Sequence, residues 1–175
     1  MKRNVLIFGL VLGAILCGNM IYMVHLCYTN PDFKSNDVVG YAAMIVIFSL
    51  VFFGVRNYRN KELGGMISFG QAFKTGALIA LAGATMYVLV WLFYYYLFVP
   101  DYLDKYITHV LKEVAQEKPA ELAAKTKEMA GFKDMYKNTF FVIIITYAEV
   151  LPVGLVVALV SALVLKRKNK AVVTA

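Results

Sequence analysis

The sequence predicts an all-α integral membrane protein, a four-helix bundle with an extracytoplasmic amphipathic helical hairpin between the third and fourth spans. Three observations predict it. Hydrophobic residues make up 61% of the chain and charged residues only 17%, unlike the composition of soluble domains. Four long windows carry almost no charge, and basic residues collect on one side of them. A soluble chain of 175 residues is too short to enclose four such helices.

Each window is long enough to cross a bilayer, because a hydrocarbon core of about 30 Å takes roughly 20 helical residues. Residues 4–31, 38–55 and 75–100 contain no Asp, Glu, Lys or Arg, and residues 138–165 contain only Glu149. The first window exceeds the apolar core of a secretory signal, so we expect a retained helix rather than a cleaved signal. We predict a single membrane domain over residues 1–175, with spans at about 4–26, 38–55, 75–99 and 139–165.

The distribution of positive charge predicts the orientation. Ten basic residues flank one side of the spans: Lys2, Arg3, Arg56, Arg59, Lys61, Lys74, Lys166, Arg167, Lys168 and Lys170. On the other side, the loop 101–137 balances seven lysines against seven acidic residues. The positive-inside rule therefore places both termini in the cytoplasm. These basic residues are split over short segments without a binding fold, so we expect no nucleic-acid partner.

Small residues recur at four-residue spacing on three of the four predicted helices. Such stripes let helix backbones approach closely in lipid, where apolar surfaces alone cannot drive association. We expect them to pack within the chain, and the alternative is a homo-oligomer or another membrane protein on the same faces. The stripes are Gly9, Gly13 and Cys17, then Gly76, Ala80 and Ala84, then Gly154, Ala158 and Ala162.

Two local patterns place further helices. Ser68 and Gln71 have the spacing of a capping box, so the third helix is predicted to begin at Ser68, after a Gly64-Gly65 turn. In the outer hairpin, about 101–137, apolar residues recur on one face of a first helix, Pro119 breaks it, and a second helix is predicted to stop at Gly131. That face must lie on the membrane, on the bundle or on a partner. It consists of Leu103, Ile107, Val110, Leu111 and Val114.

Glu149 is the one charged residue inside a span, three positions before Pro152. Carboxylates at membrane depth are costly and usually face the bundle interior with a partner. Counting helical rise from the cytoplasmic ends places Glu149, Asn19, Tyr41 and Tyr87 at similar depths of about 18 to 24 Å. We predict an intramembrane polar cluster of these four residues. A neutral Glu149 that fixes helix register, a proton relay or ligand site, and a carboxylate at the outer headgroups remain alternatives.

Other chemistry is not indicated. The chain contains two histidines and two cysteines, without the spacing of a metal site, and we expect an exposed imidazole at His109. No nucleophile elbow, Walker motif or dinucleotide fingerprint occurs. We therefore expect no enzyme activity, no catalytic residues, no cofactor and no metal, and membrane lipid as the principal partner.

Two segments resemble a family of four-helix bacterial membrane proteins catalogued as domain of unknown function 4199. They are Gly-Gly-Met-Ile-Ser-Phe-Gly-Gln-Ala-Phe-Lys-Thr-Gly at 64–76 and Pro-Val-Gly-Leu-Val-Val-Ala-Leu-Val-Ser-Ala-Leu-Val-Leu-Lys-Arg-Lys at 152–168. The resemblance implies an inner-membrane protein of a Bacteroidota-type bacterium and supplies no mechanism. We expect a structural or interaction bundle, and the alternative is a small transporter or proton-coupled carrier that uses Glu149. Substrate, partner and oligomeric state do not follow from the sequence.

Overall fold

The computed structural model describes residues 1–30 and 37–167, so the basic residues Lys168 and Lys170 lie outside it. Within the described residues the chain is helical, apart from loops and one isolated backbone bridge. Four of the helices are long and apolar enough to cross a membrane, which confirms the predicted all-α membrane bundle. The helices are α1 (Lys2–Thr29), α2 (Asp37–Glu62), α3 (Phe69–Leu97), α4 (Tyr102–Glu117), α5 (Leu122–Tyr136) and α6 (Thr139–Leu165).

The capping box at the start of α3 forms as predicted. The Ser68 hydroxyl accepts from the Gln71 backbone N–H at 3.3 Å, and the Gln71 side chain accepts from the Ser68 backbone N–H at 3.3 Å. Gly64 and Gly65 precede it with φ angles of 61° and 89°, which favour glycine. The chain therefore turns sharply between α2 and α3 and enters α3 with two of its first N–H groups satisfied.

Helix α3 lies at the centre of the bundle and packs most extensively against α1 and α6. All nine small residues of the three predicted stripes are buried within the single chain. At Gly154 of α6, an added Cβ would lie 2.5 Å from the Phe48 ring and 2.8 Å from the Ala80 Cβ. The small residues thus bring α3 and α6 together inside the protein, as close packing in lipid requires.

Helix α2 packs most closely on the bundle from Phe48 onwards. Phe48, Val51 and Val55 have 0% of their surface exposed. None of the described side chains at positions 38–47 is buried. In the first part of α2, Met44 and Ile47 touch the core but are only partly buried, so this part packs more loosely and leaves space beside it.

Polar contacts join α1, α2 and α6 at one end of the bundle, termed here the terminal end. The Asn4 amide donates to the Gly54 carbonyl at 2.9 Å and accepts from the Asn57 amide at 2.7 Å. The Arg59 guanidinium donates to the Leu165 carbonyl at 3.3 Å. Because buried amides are costly without partners, these bonds fix how the helix ends meet. The start of α1 and the end of α6 consequently lie at the same end.

Helices α4 and α5 lie at the opposite end, termed the α4–α5 end. Leu103 of α4 is buried in the core cluster that contains Trp91, and Ile107 packs against the same cluster. Met129 of α5 is also buried, with 8% of its surface exposed. Of the three docking surfaces expected for the apolar face of α4, the structure shows the protein's own bundle for its first part.

Two details of this segment differ from expectation. Helix α5 continues through Gly131 to Tyr136, so the predicted stop at Gly131 is wrong. An internal glycine costs only about 1 kcal/mol, and the packing of Phe132 and Tyr136 on the bundle offsets it. The imidazole of His109 is not fully exposed, because its Nε2 lies 3.0 Å from the Cys27 carbonyl oxygen.

Candidate functional site

A cavity of about 340 Å³ lies at the α4–α5 end, and all six helices contribute to its wall. It occupies the space that the first part of α2 leaves open. Its wall is mostly aromatic and sulfur-containing, which gives an apolar surface with polarizable groups. The aromatic and methionine side chains of the wall are Tyr41, Tyr87, Trp91, Tyr102, Tyr106, Phe132 and Tyr136, with Met20, Met23 and Met44.

The structure places all four residues of the predicted polar cluster around this cavity. Asn19 comes from α1, Tyr41 from α2, Tyr87 from α3 and Glu149 from α6. They do not form a hydrogen-bonded knot, since no hydrogen bond joins any two of them within residues 1–30 and 37–167. The four residues therefore lie at similar depths in the bundle because they line the same cavity.

The carboxyl group of Glu149 opens onto accessible space. Glu149 is exposed on the protein's own surface, while Asn19 and Tyr87 are half-buried. No fully buried side-chain nitrogen or oxygen in the described residues lacks a hydrogen-bond partner. The unbonded polar atoms of Asn19 and Tyr87 consequently reach the cavity, where a ligand or water can satisfy them.

Glu149 is the only residue with a formal charge among the described residues that line the cavity. Burial, together with the nearby Glu149 carboxylate, raises the pKa of Tyr136 to about 12, against a smaller opposing effect of the Trp91 N–H. That N–H donates to the Tyr136 hydroxyl at 3.3 Å. Tyr136 therefore stays protonated at neutral pH, and its hydroxyl remains a neutral donor and acceptor beside the cavity.

Comparison with known families bears on this site. A family model described as a protein of unknown function (DUF4199) matches residues 5–167. The chain belongs to this family. No curated protein and no solved structure matches the chain. The match confirms the resemblance seen in the sequence, and it covers every residue that lines the cavity of this DUF4199 protein.

The DUF4199 chain also has a smaller polar site beside the cavity, at the junction of α1 and α4. The Tyr28 hydroxyl donates to the Asp101 carboxylate at 2.5 Å, and this bond lowers the pKa of Asp101. The Lys105 ammonium lies 4.6 Å from the centre of the Tyr28 ring. These contacts hold α4 against the end of α1 and leave no unpaired charge there, so we assign them a structural role.

Residues 1–30 and 37–167 contain no group of three or more His, Cys, Asp or Glu side chains that could hold a metal ion. Cys17 and Cys27 are buried and unbridged. Among the described residues that line the cavity, Glu149 is the only carboxylate and none is a histidine, so these residues provide no second ligand with which to chelate an inorganic cation.

The polar members of the site were predicted from the sequence, and its aromatic wall was not. An aromatic residue near the end of a span is typical of a membrane interface, yet only 6% of the surface of Trp91 is exposed and its ring packs 5.3 Å from that of Tyr102. Tyr136 lies in a helix whose apolar face looks poor in the sequence. The signal in the sequence was the run of five tyrosines within residues 94–106, which continues past the end of the third span into α4.

Proposed function

We propose that this DUF4199 protein is a multi-pass protein of a bacterial inner membrane, with both termini in the cytoplasm. The terminal end carries Lys2, Arg3, Arg56, Arg59 and Lys61, whereas the α4–α5 segment balances its charges. An excess of Lys and Arg marks the cytoplasmic side of membrane proteins. The α4–α5 end then faces the periplasm.

We further propose that the protein is a non-enzymatic bundle that acts by interaction. The observation that carries this is the packing of its terminal half. Leu12, Phe48, Val55, Ile79 and Ala158 fill it with 0% of their surface exposed. A carrier must open its site to each side of the membrane in turn. In this structure the packed terminal half lies between the cavity and the terminal end, and a closely packed half of this kind suits a bundle that keeps one conformation.

The polar residues of the terminal half support the same view. The Thr75 hydroxyl donates to the Gln71 carbonyl at 2.8 Å, and the Ser161 hydroxyl donates to the Val157 carbonyl at 2.6 Å. Each hydroxyl is thus bonded to its own helix and not to a neighbour. Together with the Asn4 amide bonds, these contacts satisfy the buried polar groups without forming a chain of proton carriers.

The interaction surface in this proposal is the solvent side of α5. Its residues Ala123, Ala124, Lys127, Glu128 and Ala130 are exposed, while Met129 on the other side is buried. Small and charged side chains on a rigid, docked helix can meet a protein partner without leaving an apolar patch in water.

A cysteine scan in intact cells tests orientation and interaction together. We expect an Ala123→Cys variant to react with a membrane-impermeant maleimide that carries a photoreactive group, because position 123 is exposed on the periplasmic side in this proposal. Illumination should then give a covalent adduct of discrete, larger mass. The native Cys17 and Cys27 are buried and should react slowly.

The matched control is Asn60→Cys, which is exposed at the terminal end and should react only after the membrane is opened. Labelling of Asn60→Cys from outside would reverse the proposed orientation. Labelling of Ala123→Cys without any adduct beyond the monomer would contradict the interaction role.

A proton-coupled carrier is the second candidate, and the exposed Glu149 in its cavity is the observation that favours it. In the leading proposal, we expect proteoliposomes of the wild type to show no proton flux when a pH gradient is imposed. The Glu149→Gln variant and empty liposomes should behave alike, with a proton ionophore as the positive control. Wild-type flux that disappears in Glu149→Gln would favour the carrier, because glutamine cannot exchange a proton.

A further inference from the structure

We propose that the cavity around Glu149 binds an organic monocation, an ammonium group that carries apolar substituents. The ammonium would lie against the Glu149 carboxylate, and the apolar part against the aromatic and methionine wall. This goes beyond the interaction role and requires neither a protein partner nor transport.

The charge of the residues that line the cavity favours a cationic ligand. The described residues give Glu149 no hydrogen-bond donor and no cationic partner, although a carboxylate within a span is costly when it is unpaired. The cavity wall contributes no Lys, Arg or His among its described residues, so an anion would meet only repulsion. A cation would supply the missing partner, which a neutral ligand could not.

The residues that line the cavity favour an organic cation over an inorganic one. Calcium and magnesium take six or more oxygen ligands, and one carboxylate with a few hydroxyls does not provide them. Aromatic faces, in contrast, attract ammonium groups, and they do so more strongly when water is excluded. Tyr87, Trp91, Tyr102 and Tyr136 line the same cavity as Glu149.

Size and access fit a small molecule. The volume of about 340 Å³ lies at the lower end of the range for ligand pockets. On the side of α2 the wall consists of Gly40, Tyr41 and Met44. An added Cβ at Gly40 would meet no atom within 4 Å, so this part of the wall is open. A ligand can therefore enter beside α2 without a rearrangement of the packed half.

The single tryptophan of the chain provides the measurement, because Trp91 lines the cavity. Purified full-length protein in a nonionic detergent is titrated with benzyltrimethylammonium, a permanent cation with an aromatic substituent. We expect a saturable change in tryptophan fluorescence. Benzyl alcohol and benzenesulfonate, which are neutral and anionic, should not reproduce it at equal concentration.

Three variants complete the experiment. Glu149→Gln removes the charge and should weaken binding by at least about tenfold, equal to about 1.4 kcal/mol. Glu121→Gln makes the same change at an exposed position outside the cavity and should bind like the wild type. Gly40→Leu narrows the cavity without altering charge and should also weaken binding, so a misfolded Glu149→Gln would not leave the proposal untested.

The proposal is overturned by any of three results. These are no saturable change in the wild type, equal affinity for benzyl alcohol, or wild-type affinity in the Glu149→Gln variant. Binding in this assay is independent of adduct formation at position 123 and of proton flux. Its failure would therefore leave the proposed interaction role standing, and failure of that role would leave the binding site standing.

Discussion

Gly154→Ala should lower the free energy of unfolding by about 1–3 kcal/mol, the usual cost of overpacking a filled core. The new methyl group would lie 2.8 Å from the Ala80 Cβ and 2.5 Å from the Phe48 ring. Ala80 has no rotamer with which to move away, so α3 and α6 must separate. Gly154→Leu should be more severe and prevent a compact bundle. The measurement is denaturation in mixed detergent micelles, followed by circular dichroism.

Gly18→Ala is the matched control, because Gly18 also lies inside a membrane helix but nothing approaches its added Cβ within 4 Å. Alanine is favoured over glycine within a helix by roughly 0.5–1 kcal/mol, so this variant should be as stable as the wild type or more so. Equal stability of Gly154→Ala and Gly18→Ala would show that the close approach of α3 and α6 is not needed for stability.

The main features of the bundle follow from its sequence because they rest on strong local signals. Charge-free windows give the number of long helices, and the Ser68 capping box gives the start of α3. The limits predicted for the spans are not helix ends, and α2 continues to Glu62, past the predicted span limit at residue 55. Hydropathy indicates which part of a helix lies in lipid. Helix α2 continues beyond that part through Arg59 and Lys61, because their charged side chains are solvated by water.

The site was only partly predictable, for a geometric reason. Helical rise fixes depth, so counting residues placed Asn19, Tyr41, Tyr87 and Glu149 at similar levels. Rotation about each helix axis, and the distance of α2 from its neighbours, depend on packing across the whole bundle. The same four residues could therefore have met in a closed knot. The structure places them around a cavity instead, and its volume could not be read from the sequence.

The aromatic cluster shows a second limit. Tyrosines at a span end predict an interfacial belt, and Phe93 and Phe98 are indeed 67% and 72% exposed. Trp91 and Tyr95 lie on the opposite face of α3 and pack under α4 and α5. Because aromatic residues occupy both faces here, periodicity alone cannot tell which of them face lipid and which form a core.

Trp91→Ala should destabilise the protein by about 3–5 kcal/mol, as expected for the loss of a buried tryptophan. The Trp91 side chain contacts Tyr102 of α4 and donates to the Tyr136 hydroxyl of α5, so both helices lose their common anchor. The loss of stability should be largest at the α4–α5 end. We expect faster amide hydrogen exchange across α4 and α5, with little change in the half of α3 near Gly76.

Two controls make this prediction specific to the anchor. Phe93→Ala removes an aromatic ring that is 67% exposed, and should alter exchange in α4 and α5 very little. Trp91→Phe keeps a ring against Tyr102 but loses the N–H that reaches Tyr136, so its effect should be intermediate.

If exchange in α4 and α5 stayed as slow in Trp91→Ala as in the wild type, these helices would be held by other contacts. The hydrogen bond of Tyr28 with Asp101 and the contact of His109 with the Cys27 carbonyl oxygen would then be candidates, and Asp101→Ala in the Trp91→Ala background should loosen α4.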